Sequence, residues 1–311
     1  MESGLIPVEQ STMTPMLGVY GATKTERRAL LAFLVQGLAG HGLKAAVIRE
    51  VPSTGSTPPS DLILVEGGYR LPAVIWLEDG GQLPPVGGAA LRSFGPEGRK
   101  EKVLAFLLEW IARVWQQTPV WGCVLIGGRS SRMGQPKHLL TDRHGTTWLE
   151  RTVHLLQPLV TDLVLSGKGE VPECMQDIIR LPDIPGVVGP LSGILAAMRR
   201  YPSVSWLLVA CDMPDIQEDA VRWLLSRRRP GVWGTVPRLQ EGGPVEPLLA
   251  HYDFRCAALF EDLARTDCLR IGMVAENTGV ETPLIPVWLR SSWRNVNTVA
   301  ELQAERKERN I

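Results

Sequence analysis

Paired cysteines, clustered histidines, a long apolar run and a charge bias are all missing from this chain. Its five cysteines, Cys123, Cys174, Cys211, Cys256 and Cys268, are scattered, odd in number and free of any CxxC spacing. That argues against a disulfide framework or a structural zinc site, and suits reduced thiols in a cytoplasmic protein. The five histidines, His41, His138, His144, His154 and His251, form no cluster and no HxxH pair. Basic and acidic residues are equal at 33 each, so nothing favours nucleic acid or an anionic membrane as a partner. No apolar stretch reaches the ~20 residues of a membrane helix. Residues 1–16 lack the basic start and apolar run of a signal peptide, so a soluble protein is expected.

What is present is enough chain for two cores: 311 residues, 44% of them hydrophobic. In the first part, strands are expected at 16–20, 44–49, 61–66 and 73–77. A helix with Leu30, Leu31, Leu34, Val35 and Leu38 on one face closes at Gly40-His41-Gly42. Residues 80–98, dense in Gly and Pro, read as a turn-rich connection, and residues 102–115 carry helical apolar spacing. A boundary near Pro119 divides the chain into 1–118 and 119–311. The second part alternates strands (121–126, 163–166, 178–181, 206–210, 232–236) with helices (147–156, 191–200, 217–227, 254–263). Alternation of this kind predicts an α/β fold with a mostly parallel sheet, whose ligands bind at the carboxyl ends of the strands. The loops starting at Gly127, Ser166, Pro182 and Cys211 are singled out by that rule.

The first of these loops carries the most information. Leu125-Ile126-Gly127-Gly128 ends a strand and leads to Arg132 and Lys137. Adjacent glycines let backbone approach phosphate oxygens, and the two cations suit a triphosphate. A glycine turn with nearby cations is weak alone, because many such turns only connect a strand to a helix. Asp212 leaves the apolar run 206–210, where a carboxylate could hold a cation or simply cap the turn before Pro214. Asn297 offers a neutral oxygen that suits either a metal ion or a helix N-cap.

Four ordered stretches carry a family resemblance. The LxGGxSxRMGxxK pattern at 125–137, Gly189-Pro190-Leu191-Ser192-Gly193, Cys211-Asp212-Met213-Pro214 and Asn295-Val296-Asn297-Thr298 resemble the motifs of molybdenum-cofactor nucleotidyltransferases, the MobA family. Ser192 stands where that family usually has alanine. The resemblance implies a Rossmann-like nucleotidyltransferase domain that moves GMP from GTP to the terminal phosphate of molybdopterin. It implies magnesium held by Asp212 and Asn297, with Arg132, Lys137 and Asp212 acting in catalysis. It also implies nucleotide contacts from Leu125, Ile126, Gly127, Gly128, Lys137, Asp183, Gly189 and Asp212. Ser166 matches a position where the family often has asparagine, which puts one nucleotide contact in doubt. Such a transfer needs no general base, since the attacking phosphate oxygen is already ionised, so positioning and charge neutralisation suffice. Partners implied are molybdopterin-delivery proteins and apo-molybdoenzymes. Gly127-Gly128 and Gly189-Pro190-Leu191 are similar to the guanine branch rather than its cytidine relatives. CMP or sugar-phosphate transfer, or a non-catalytic cofactor carrier, are the competing readings.

In the first part, Gly18 to Thr25 sits between a strand and a helix and resembles a P-loop, but Thr23 replaces the glycine before Lys24. A β-branched residue there is expected to crowd the phosphates. With Asp61-Leu62-Ile63-Leu64-Val65-Glu66-Gly67, it resembles a smaller MobB-like P-loop domain whose nucleotide hydrolysis is lost or weakened. Most of the seven tryptophans of the second part are expected in cores.

Overall fold

The computed structural model describes residues 14–49, 60–67, 71, 73–79, 90–127, 136–142, 144–296 and 301. The chain divides into two compact units, Met1–Gln117 and Thr118–Ile311.

Unit 1 is a parallel sheet built from β1 (Met16–Gly21), β2 (Ala45–Ile48), β3 (Leu62–Glu66), β4 (Val74–Leu77) and β5 (Ala90–Phe94), in the order β2-β3-β1-β4-β5. Alternate residues Leu17, Val19, Leu62, Leu64, Ile75 and Leu77 pack against two helices. These are α1 (Lys24–Gly40), through Leu30, Leu31, Leu34 and Leu38, and α2 (Arg99–Gln117), through Val103, Leu107 and Ile111. Strand β5 corrects the expectation of a connection through 80–98. It pairs with β4 alone and leaves Leu91 exposed, so the apolar periodicity of a buried strand is missing.

The stretch 18–25 stands between a strand and a helix, as expected, with a short turn. Gly18 and Gly21 lie inside β1, paired with β4, and α1 starts only three residues after Gly21. Gly21 is required by packing: its φ is +75°, and a Cβ there would stand 2.0 Å from the Leu77 carbonyl oxygen. Thr23 is unstrained, with φ at −74°, and is the N-cap of α1. Its hydroxyl accepts from the Glu26 N–H at 3.3 Å, while Glu26 Oε2 accepts the Thr23 N–H at 2.9 Å. Arg27 donates to the carbonyls of Gly21 and Ala22 at 2.8 and 2.7 Å. These bonds tie the turn to the first two turns of α1. Thr23→Ala should therefore lower stability by about 1 kcal/mol in denaturant titration. An unchanged midpoint would mean that the cap is not why threonine stands there.

Unit 2 is a seven-stranded sheet covered on both faces. Its strands are β6 (Val120–Leu125), β7 (Asp162–Ser166), β8 (Ile179–Leu181), β9 (Ser205–Ala210), β10 (Gly234–Thr235), β11 (Leu249–Tyr252) and β12 (Val280–Glu281). Their order is β12-β10-β11-β9-β6-β7-β8, and only β11 runs antiparallel to its neighbours. The helices are α3 (Trp148–Leu156), α4 (Pro190–Arg200), α5 (Glu218–Ser226) and α6 (Ala257–Arg265). Successive strand residues feed opposite cores. Val124, Leu165, Leu207 and Val209 pack with α3 and α5, whereas Cys123, Val164, Trp206 and Leu208 pack with α4 and α6. Burial on both faces is why these strands read as continuous apolar runs. Trp206, Trp233 and Trp293 are core residues, while Trp288 is exposed. The expected strand at 232–236 shrinks to two residues, and the antiparallel β11 had no counterpart in the sequence reading. Among the described residues no helix is long and apolar enough to cross a membrane.

Candidate active site

The strand order reverses between β6 and β9: β7 and β8 lie on one side of β6, and β9 on the other. This opens a crevice at the carboxyl ends of β6 and β9, the place where open parallel sheets bind ligands. Register puts Leu125 beside Ala210, so the Gly127 loop and the Asp212 loop leave the sheet side by side. Leu125 O accepts from the Cys211 N–H, and the Ile126 N–H donates to Ser166 O. With those groups engaged and both side chains buried, Gly127 is, among the described residues of the loop, the one whose backbone can approach a ligand without a side chain between.

Across this crevice Lys137 meets Asp212, with Nζ to Oδ2 at 2.9 Å. Both backbones are anchored. His138, next to the lysine, is buried, and its Nε2 lies 2.9 Å from the Glu170 carbonyl. Burial lowers its pKa, so neutral imidazole is favoured there. Leu140 packs with Trp148 and Val296 in a small cluster, and the Val296 N–H donates to Asp212 O at 3.0 Å. The next carboxylate in the loop, Asp215, is paired with Arg294 at 2.7 Å. Cys211 is buried and its thiol is pushed up to about 12, first by desolvation and then by Asp212, so it is no nucleophile. All five cysteines are free.

The loop after β7 completes the crevice. Gly127 (φ +98°) and Gly167 (φ +119°) interlock, since a Cβ on Gly127 would meet Lys168 O at 2.6 Å and one on Gly167 would meet Ile126 O at 1.9 Å. Lys168 is exposed and stands 4.0 Å from Asp183. Ser166 turns away: it is buried, and its hydroxyl donates to Gly193 O at 3.0 Å. Gly193 allows that approach, because a Cβ there would meet Leu125 and the Ser166 hydroxyl at 2.8 and 3.1 Å. Gly189, with φ +70°, is the N-cap of α4 and is followed by Pro190 at its start. Ser192 has a use of its own, since its hydroxyl accepts the Ile184 N–H at 2.7 Å and pins the loop that carries Asp183.

The structure thus brings Lys137 and Asp212 together and sets Gly127 beside them. It places Asp183 and Gly189 on neighbouring loops and turns Ser166 into the core. Gly128, Arg132 and Asn297 lie outside the described residues. Gly167 and Lys168 were absent from the sequence reading, and His138 was named there only as one of the scattered histidines. The signal available was Gly167-Lys168-Gly169 directly after a strand, a glycine-flanked cation. Among the described residues no group of three or more His, Cys, Asp and Glu could enclose a metal. A cation here would share Asp212 with a ligand's own oxygens, as magnesium does with phosphates. The ammonium of Lys137 against Asp212 shows that this carboxylate accepts positive charge.

Residues 122–309 match the family model described as MobA-like NTP transferase domain. The chain is similar to a "Molybdenum cofactor biosynthesis bifunctional protein" of Synechocystis sp., 33% identical over 146 residues, or 46% of this chain and 42% of that protein. The chain therefore spans less than half the length of that relative. It is 34% identical to a "Probable molybdenum cofactor guanylyltransferase" of Pelotomaculum thermopropionicum, across 46% of this chain and 68% of the relative. A Bacillus cereus protein of the same description is 28% identical across 60% of this chain and 96% of its own length. Among solved structures, molybdopterin-guanine dinucleotide biosynthesis protein A of Archaeoglobus fulgidus is similar with a TM-score of 0.52. That match covers 61% of this chain and 98% of the other at 23% identity, a likeness of fold.

Proposed function

Because the chain belongs to the MobA-like NTP transferase family, we propose that unit 2 transfers GMP from GTP to the terminal phosphate of molybdopterin, releasing pyrophosphate. The observation that carries this reading is the Lys137–Asp212 pair at the crevice between β6 and β9. It joins a cation to a carboxylate in the place where a nucleotide's phosphates meet such a sheet. The guanylyltransferase names of the relatives support the choice of base and acceptor.

In this reading an acceptor phosphate oxygen attacks the α-phosphorus of GTP, and the bond to pyrophosphate breaks. Gly127 lets backbone approach the phosphates without a side chain intervening. Lys137 moves from Asp212 to the triphosphate and neutralises charge that grows on the leaving pyrophosphate. Arg132 acts beside it. Asp212 and Asn297 are the residues that would hold magnesium, which would withdraw charge from the phosphate oxygens. Asp183, pinned through Ser192 and Ile184, borders the nucleotide. No proton acceptor is required, and the two buried histidines, His138 and His251, are each held below the usual imidazole range by burial. A cytoplasmic setting with molybdopterin-delivery proteins and apo-molybdoenzymes as partners follows from the same reading.

Unit 1 is read as a MobB-like domain that has given up phosphate binding. Two results test the division of labour. The fragment Thr118–Ile311 should fold and retain transfer, because every motif of the reaction lies within it. Lys24→Ala in the full chain should leave transfer unchanged. An inactive fragment beside an active full chain, or a large loss in Lys24→Ala, would contradict it. Base choice is read by equilibrium binding, where GTP should exceed CTP by about tenfold or more, roughly 1.4 kcal/mol. Equal binding would favour the cytidine reading.

A further inference from the structure

The loop after β7 presents one exposed side chain on a backbone held from several directions. Ser166 faces the core, and Gly167 and Gly169 have no side chain to present. The Gly167 N–H donates to Leu181 O at 3.0 Å, and the Arg180 guanidinium donates to Gly169 O at 2.6 Å. Gly169 lies against the His138 ring, which a Cβ would meet at 2.8 Å. Lys168 stands in the middle of this brace, its side chain 85% exposed and its Nζ 4.0 Å from Asp183 Oδ2. Asp183 is positioned in turn by the bond from the Ile184 N–H to the Ser192 hydroxyl. We infer that Lys168 is a base-specificity residue, whose ammonium donates to the 6-oxo group of guanine while Asp183 accepts from the neighbouring N1–H and 2-amino group. This assignment rests on the reading of unit 2 as a guanylyltransferase, and goes beyond it to a residue outside the four motifs.

A separation of 4.0 Å is too long for a hydrogen bond between the two groups, so each keeps its capacity for a ligand lying across both. Among purines such a pair is selective. Guanine offers an acceptor oxygen at C6 beside N–H donors, whereas adenine offers an amino donor at C6 beside a bare N1. With adenine the ammonium would face a donor and the carboxylate a lone pair, so both contacts would turn unfavourable. The strand order supports a base at this place. Outward from the Asp212 loop the strands run β9, β6, β7 and β8, three spacings or about 14 Å. A nucleotide with its phosphates at Lys137 and Asp212, extended along this edge, brings its base to the loops after β7 and β8. The braced backbone leaves only the lysine side chain to be ordered on binding, which keeps the entropic cost of the contact small.

The test is equilibrium binding of three nucleotides to the full-length protein: GTP, ATP and 2-aminopurine riboside triphosphate. The last keeps the 2-amino group and lacks the 6-oxo group and the N1 proton. Wild type should prefer GTP to both others. Lys168→Met should weaken GTP roughly five- to tenfold and leave the 2-aminopurine analogue unchanged, the scale of one charge-assisted hydrogen bond at an exposed site. Lys168→Arg should restore most of the preference, and neither variant should shift the unfolding midpoint, given the exposure of the side chain. If Lys168→Met weakens GTP and the analogue equally, the lysine serves phosphate or ribose and the inference is overturned. It is overturned as well if Lys168→Met binds GTP as wild type does. If wild type itself binds ATP as tightly as GTP, the guanylyltransferase reading fails, and the inference with it.

Discussion

Asp212→Asn is expected to abolish nucleotidyl transfer, by at least ~100-fold in single-turnover rate, while leaving the protein folded. The substitution keeps the shape of the side chain and removes its charge. It ends the pair with Lys137 at 2.9 Å, but the backbone bond from Val296 to Asp212 O does not depend on the carboxylate. A lost pair of this kind costs about 1 kcal/mol once solvent screening is allowed for, which a unit with two cores tolerates. The catalytic loss has a different origin, because the carboxylate's charge is used when phosphate charge moves from the α-phosphorus to pyrophosphate. The unfolding midpoint and the transfer rate should therefore separate. A variant with near wild-type turnover would take Asp212 out of the reaction.

The second large effect is expected at Gly167, a residue that belongs to none of the four motifs. Its φ of +119° is one that L side chains rarely adopt, and a Cβ would stand 1.9 Å from the Ile126 carbonyl oxygen. That oxygen belongs to the strand end that carries Gly127, whose own Cβ position is closed by Lys168 O at 2.6 Å. Neither backbone can retreat without breaking the bond from the Ile126 N–H to Ser166 O. Gly167→Ala should then cost about 2–4 kcal/mol and weaken nucleotide binding together with stability. Gly145→Ala is the control, since its φ is +80° with nothing within 4 Å of a Cβ. It should cost only the left-handed backbone penalty, about 1–2 kcal/mol, and leave nucleotide binding alone. Equal midpoints for the two variants would mean that the loops are not interlocked.

The contrast between Asp212 and Gly167 marks what sequence patterns carry. The strands of unit 2 buried on both faces were legible as apolar runs, and Asp212 was legible because a carboxylate ending such a run is conspicuous. Partners far apart in the chain left no local trace. Ser166 donates to Gly193, His138 reaches Glu170, and Ser192 reaches back to Ile184, each across 8 to 32 positions. Strands such as β10 and β12, two residues long, are too short to show a period. At residues 18–25 the strand, the turn and the helix were legible, but the use of each residue within the turn was not. A glycine that lets two strands approach, as Gly21 does against Leu77, has the same letter as one that cradles phosphate. Threonine at 23, read as a departure from the P-loop pattern, also opens a helix through a reciprocal bond with Glu26.

The most direct test of the central claim is the identity of the product. The purified chain, incubated with molybdopterin on a carrier protein, magnesium and each of the four nucleoside triphosphates in turn, should yield molybdopterin guanine dinucleotide with GTP alone. Mass spectrometry of the released cofactor should show one GMP added, with one pyrophosphate formed for each dinucleotide. A cytidine adduct, or no adduct with any triphosphate while the cofactor stays bound, would contradict the assignment.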